Sequence, residues 1–328
     1  MAHNLYKNTM AFAGETPWHG LGVKLPANAT WDVMSRAAGF YDVREEAVRL
    51  ANGRIIPGRK ALVRTDTGAP LAVVSENYGV VQFSEVAETL VAAAKGTGAI
   101  FHTAGLLGED GSRGWLLAEL PKTIKVKGDK SEIRPYLLGT AAHDGRNGVV
   151  LKNVATRVVC QNTLGVAMGE KDSRWYASIY HTKNAVQRLA EAREAFAAML
   201  EGMDAFEVMA NQLAAAKFTE KMLAATLDDL LPLPKGDATE SAGVAAATTR
   251  ITERRERVQT LFEAGMGINA SIRGTAWAAF QAWTEYADHH RVVRGDDNGA
   301  KKLESVWLGR SAEMKTDALA SIVRQINA

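Results

Sequence analysis

The chain of 328 residues contains one cysteine, Cys160. That excludes an intramolecular disulfide and any zinc site built from several thiolates, and a lone thiol is most simply a small buried hydrophobe. A nucleophilic Cys160 would need a base, and His143 and His181 are distant in sequence. No apolar run approaches the about 20 residues that span a bilayer, and the opening MAHNLYKNTMAFAGE lacks a basic stretch followed by an apolar one. We therefore expect a cytoplasmic protein without a membrane partner. Gly-Lys-Ser and Gly-Lys-Thr are missing, and no strand leads into Gly-x-Gly-x-x-Gly, which argues against ATP- and dinucleotide-driven chemistry. His-Glu-x-x-His, Gly-x-Ser-x-Gly and Cys-x-x-Cys are missing too. His289 and His290 are adjacent, so a helix would turn them to different sides. The expectation is a protein that is not an enzyme, with no cofactor and no metal site.

What is present centres on residues 136–184. Tyr136 to Ala142 and Val149 to Thr156 read as the strands of a hairpin, because apolar β-formers flank an Asp-Gly and an Asn-Gly. Arg157 to Met168 fits a strand or a short amphipathic helix equally. Before this unit, breakers at Gly14, Pro17, Gly20, Gly22 and Pro26 suggest an irregular arm whose Trp18 and His19 pack on the protein. Thr30 can cap a short helix from Trp31 to Ala38, and Phe40 to Leu50 has too sparse a pattern to assign. Ile55 to Arg64, Leu71 to Glu76, Ile100 to Leu107 and Gly114 to Leu120 read as strands, with a helix from Ser84 to about Lys95 between the pairs.

After Thr182 the composition turns helical. Asn184 to Phe218 is rich in Ala, Glu, Leu and Met, with a break expected at Gly202, and helices follow at Thr219 to Leu230, Ala245 to Ala264, Thr275 to His289 and Ser311 to Ile326. Trp307 to Gly309 reads as a packed turn. The fold class is α+β: an antiparallel sheet with helices in a basic domain at 1–183, then a mainly helical domain at 184–328. Trp277, Phe280, Trp283 and Tyr286 form an aromatic stripe that suits a core or a subunit interface.

Several of these residues also carry a resemblance. His143-Asp144-Gly145, the run from Arg157 to Leu164, His181-Thr182, Pro17 to Gly22, Gly274 to Trp277 and Glu285 to His289 resemble the signature of a phage- and plasmid-encoded family catalogued as a domain of unknown function. The resemblance covers nearly the whole chain. It implies a mobile-element origin and a cytoplasmic protein, and it brings no established catalytic residues. The order of strand pairs around a helix is also similar, more loosely, to that of phage single-strand annealing proteins.

Charge separates the two halves. Residues 1–188 carry a net +6 and residues 189–328 a net −4, so an anionic partner would meet the N-terminal part. Lys122 to Arg157 holds eight basic residues against Asp129, Glu132 and Asp144, threaded among apolar strand positions. The leading expectation is a non-catalytic protein that binds and anneals single-stranded DNA, as a homo-oligomer, in recombination or DNA maintenance. Arg54, Arg59, Lys60, Lys125, Lys127, Arg146, Lys152 and Arg157 are the candidate phosphate contacts. A protein-interaction or counter-defence factor is the alternative, and it requires the aromatic stripe to be exposed. A metal-dependent nuclease is the third reading, and it requires His143, Asp144 and His181 to converge.

Overall fold

The computed structural model describes residues 5–14, 22–93, 98–108, 110–157, 176–235, 241–293, 305–306 and 309–328. Ten strands are described: β1 (Leu5–Ala13), β2 (Val23–Leu25), β3 (Val43–Arg49), β4 (Ile55–Arg64), β5 (Pro70–Ser75), β6 (Ile100–Leu107), β7 (Arg113–Glu119), β8 (Ile133–Ala142), β9 (Val149–Arg157) and β10 (Tyr176–Ile179). Seven form one sheet in the order β10-β9-β8-β7-β6-β1-β2, and β3-β4-β5 form a second. All described pairings are antiparallel except β1 with β2. The α+β reading therefore holds.

The expected irregular arm is corrected. Leu5–Ala13 contains no glycine or proline, and it runs antiparallel to β6 inside the large sheet. The breakers begin only at Gly14, so they end the strand rather than prevent it. Residues 43–49 also form a strand, although only Val43 is buried there and no alternation marks it in sequence. Trp18, His19, Cys160, Trp307 and Leu308, and the segment after Arg157, lie outside the described residues.

Helices α1 (Trp31–Ala37) and α2 (Phe83–Ala93) cover one face of the large sheet. Met34, Phe83, Val86, Ala87 and Leu90 bury there against Ala104, Leu106, Leu116, Leu137 and Leu151. Gly139 allows the approach, since a Cβ on it would stand 2.7 Å from Val86 Cγ1. In the C-terminal half, α3 (Ala185–Ala215) runs unbroken through Gly202, followed by α4 (Glu220–Leu230), α5 (Ala242–Ala264), α6 (Ala276–Glu285) and α7 (Arg310–Ile326). Every residue of α6 is buried, as its apolar residues on all sides require. One π-turn, Tyr286–His290, continues it.

The aromatic stripe is buried, and the interaction-factor reading loses its premise: Trp277, Phe280, Trp283 and Tyr286 lie in the helical core. That core is not purely helical. Ile124 and Val126 of the β7–β8 connection and Ile133 at the start of β8 reach into it, and the Trp277 indole N–H donates to Asp129 at 2.8 Å. Asn211 on α3 clamps the same connection, donating to the Lys125 carbonyl and accepting from the Lys127 amide. No helix among the described residues is long and apolar enough to cross a membrane.

Candidate functional site at the hairpin end of the large sheet

The β8–β9 turn is built by Asp144. Its carboxylate accepts from the backbone N–H groups of Arg146 (2.9 Å) and Asn147 (3.0 Å) and from the Asn147 side-chain amide (2.8 Å), while Gly145 takes φ +71°. Burial opposes ionisation of Asp144, but the donors on Asn147 and Arg146 outweigh it and hold the carboxyl below its usual range. This turn pushes the Arg146 side chain into solvent.

Three other segments meet the turn. On one side Gly145 lies against β5, where a Cβ would stand 3.1 Å from Val74 Cγ1. On the other, a Cβ on Gly148 would stand 2.5 Å from the Ile179 carbonyl oxygen and 3.6 Å from Tyr180 Cα, so only glycine lets the β10 exit pass this close. The third segment, Tyr78–Val81, hydrogen-bonds to that exit through the Gly79 amide and the His181 carbonyl. The small sheet is fixed to the same end by Tyr41, whose hydroxyl donates to the Gly111 carbonyl at 2.7 Å, and by Arg64, whose guanidinium lies 3.7 Å above the Tyr41 ring.

His143 and His181 converge here, with ring centres 6.4 Å apart. His143 Nε2 sits 2.8 Å from the Val81 carbonyl, and His181 Nδ1 sits 2.9 Å from the Gly79 carbonyl. Tyr78 stacks on His181 at 4.5 Å and gives its hydroxyl proton to the Ala142 carbonyl. Burial pushes the His143 imidazole down to about 4 and lowers His181 as well, so both are neutral at pH 7. Burial, and secondly the charge on Asp144, push the Tyr78 hydroxyl above its ordinary value. Asp144 is close, but its oxygens are engaged in the turn, and no group of three or more metal-ligating side chains occurs among the described residues.

The eight basic candidates do not form one groove. Lys152 is only 1% exposed on β9, flanked by Leu138 and Tyr176 on the neighbouring strands, so it is corrected from surface cation to interior residue. Both faces of this stretch of β9 are covered, which overrides the rule that a lysine marks a solvent face. Arg59 and Lys60 are successive residues of β4 and point to opposite faces; Lys60 bonds to Glu45 at 2.6 Å, while Arg59 is exposed. Arg54 is exposed in the β3–β4 turn, and the Arg157 side chain lies outside the described residues. Lys125 and Lys127 are exposed, but at the opposite end of β8 from Arg146. A strand of ten residues separates the two ends, roughly 30 Å.

Sequence reading missed the residue that changes the character of this end. Tyr180, just past β10, is 70% exposed. It sits against the Gly148 side of the turn that presents Arg146, and exposed Lys183 follows three residues later.

No curated protein and no solved structure matches the chain. One family model matches residues 70–307, which include Tyr78, the β8–β9 hairpin, Tyr180, Lys125 and Lys127 and exclude Arg54, Arg59 and Lys60. By that match the chain belongs to the family described as a domain of unknown function, DUF932.

Proposed function

We propose that the chain is a non-catalytic binder of single-stranded DNA from a phage or plasmid, and that the strand enters at the hairpin end of the large sheet. The observation that carries this reading is Tyr180, an exposed aromatic whose backbone lies against Gly148, two residues past Arg146 in the turn, and which is followed by Lys183. Single-strand binders combine a ring on which a base stacks with cations along the backbone, and they need no sequence-specific contact. Arg59 pairs with Ser75 on the face of the small sheet opposite the Val74 and Ala72 side chains that meet the turn, so it stands apart from this surface. Lys125 and Lys127 form a second patch that a strand about 30 Å long could reach.

Annealing in recombination is the role that suits such a surface, since stacking on one side leaves other bases free to pair. Assembly into a homo-oligomer belongs to the same proposal, with Val186 and Val208 exposed apolar groups among the described residues of α3. A nuclease reading is less favoured because the Asp144 oxygens are engaged by Asn147 and Arg146.

Binding of a fluorescent oligothymidylate to the wild type and to Tyr180→Ala tests the reading. Losing one stacked base should cost about 1–3 kcal/mol, a roughly 5- to 150-fold weaker Kd. Equal affinities would remove Tyr180 from the interface, and cleavage of the oligonucleotide would replace the binder with an enzyme.

A further inference from the structure

Residues 189–328 carry a net −4, yet one surface of this half gathers arginines. On α5, Arg250, Arg254 and Arg257 are exposed and stand at i, i+4 and i+7, so they line one stripe of the helix. None of the three forms an ion pair among the described residues. Arg255 shows the contrast: one step round the helix, it bonds to Asp228 at 2.9 Å and to the Leu231 carbonyl at 2.8 Å, and its charge is spent on the fold. Glu253 and Glu256 leave the stripe, about 100° and 160° round the helix from Arg254.

The stripe meets the end of the π-turn. The charge of Arg254 acts on Tyr286 and on Arg291, and that of Arg310, the first residue of α7, acts on Arg291 as well. Burial first, then Arg310 and Arg254, hold the Arg291 guanidinium below its ordinary value, against the pull of Tyr286 and Glu313. Three elements thus bring like charges together. Arg291 is fixed there by Ser305 and Ser311, its Nη1 donating to their hydroxyl oxygens at 3.0 and 3.2 Å. Those oxygens, 3.1 Å apart, also take the Ser311 backbone N–H and one of their own protons, which fills their lone pairs. The other hydroxyl proton has no acceptor among the described residues, and both serines are buried. Gly309, the cap of α7, has no side chain to cover the N–H groups of the first turn. Donors and positive charge converge on one place, and the missing partner is an anion. Arg310 meets Glu313 at 3.0 Å and Asp317 at 3.8 Å, but all three side chains are well exposed, and such pairs exchange partners at little cost.

We propose that Arg254, Arg291 and Arg310, with the start of α7, bind a phosphate group. A phosphate offers oxygens in several directions, which suits guanidinium groups arriving from three elements. Arg250 and Arg257 continue the charge along α5 at rises of about 6 and 4.5 Å from Arg254, so the surface takes phosphates in series as readily as one. The phosphate belongs either to a small anion such as pyrophosphate or to a nucleic-acid backbone. The site uses no residue of the hairpin end and does not depend on the single-strand proposal.

The test titrates the full chain with pyrophosphate in a calorimeter, with ionic strength held constant by chloride. One pyrophosphate should bind per chain. Arg254→Gln with Arg310→Gln should weaken it roughly 10- to 100-fold, since charge-assisted contacts are lost at exposed positions where substitution leaves folding intact. Competition by oligothymidylate names the source of the phosphate, and it is run in a chain carrying Arg146→Gln, Tyr180→Ala and Lys183→Gln so that the hairpin end takes no part. Displacement of pyrophosphate there assigns the site to a nucleic-acid strand, and binding without displacement assigns it to a small phosphate compound. Failure of single-strand binding at the hairpin end leaves the pyrophosphate titration unchanged. No saturable binding of pyrophosphate to the wild type, or equal affinity in the folded double variant, overturns the site.

Discussion

His143 shows how one buried group makes the fold sensitive to acid. Burial, with a smaller contribution from His181, takes its imidazole from an ordinary 6.5 down to about 4, against the opposing pull of the Val81 carbonyl and Asp144. The unfolded chain then binds more protons than the folded one between pH 6.5 and about 4. Stability from this residue is complete above pH 6.5 and is lost as the pH falls toward about 4, on the order of 3 kcal/mol in all. Urea midpoints taken from pH 7.5 to 5 should fall for the wild type and fall less for His143→Gln. Parallel curves would show that His143 protonates without cost. Lys315 offers a second case. It is buried on α7 against Asp288 at 2.8 Å, and Lys315→Ala leaves that carboxylate behind without its cation. Chemical denaturation should show a loss of about 3–5 kcal/mol, far above the about 0.5 kcal/mol of a surface change.

At the scale of elements, what was legible depended on whether burial was one-sided. The β8–β9 hairpin, the β6–β7 pair and α3 were read close to their limits because their patterns are strong over many residues. β3 was not readable: six of its seven residues escape full burial, so it shows no alternation. Lys152 misled for the opposite reason, since it stands in a strand covered on both faces. The site itself was only partly legible. His143, Asp144 and His181 were singled out together, but Tyr78 and Tyr180 were not. The contact between Gly79 and His181 spans 102 positions, and nothing local in sequence announces it. Gly148 is where that contact can be disturbed. Gly148→Ala puts a methyl 2.5 Å from the Ile179 carbonyl and should cost about 1–3 kcal/mol while moving Tyr180 away from Arg146. A variant as stable as the wild type in urea would show that the β10 exit is free to shift.

For the whole molecule, the charge asymmetry and the shared core pull in different directions. Net charge divides the chain into a basic and an acidic part, as two independent units would. The packing does not follow that division, because Ile124, Val126, Ile133 and Asp129 complete the core of the helical half. Residues 184–328 expressed alone should therefore lack cooperative unfolding, as judged by circular dichroism during heating. A sharp transition from the fragment would show that these four contacts are dispensable. The same connection carries Lys125 and Lys127, so the second basic patch is held by the helical half through Asn211.

The most direct test of the account compares the two basic patches on one oligonucleotide. Arg146→Gln, Tyr180→Ala and Lys183→Gln together remove two phosphate contacts and one stacking ring, while Lys125→Gln with Lys127→Gln removes two cations about 30 Å away. Each lost contact on a single strand takes about 0.7 from the slope of log affinity against log salt. The hairpin-end variant should lose about 1.4 in slope and a further 1–3 kcal/mol from stacking, whereas the distal variant loses slope only when the oligonucleotide is long enough to span both patches. A hairpin-end variant that folds and binds with unchanged affinity and slope would contradict the assignment of this surface to single-stranded DNA.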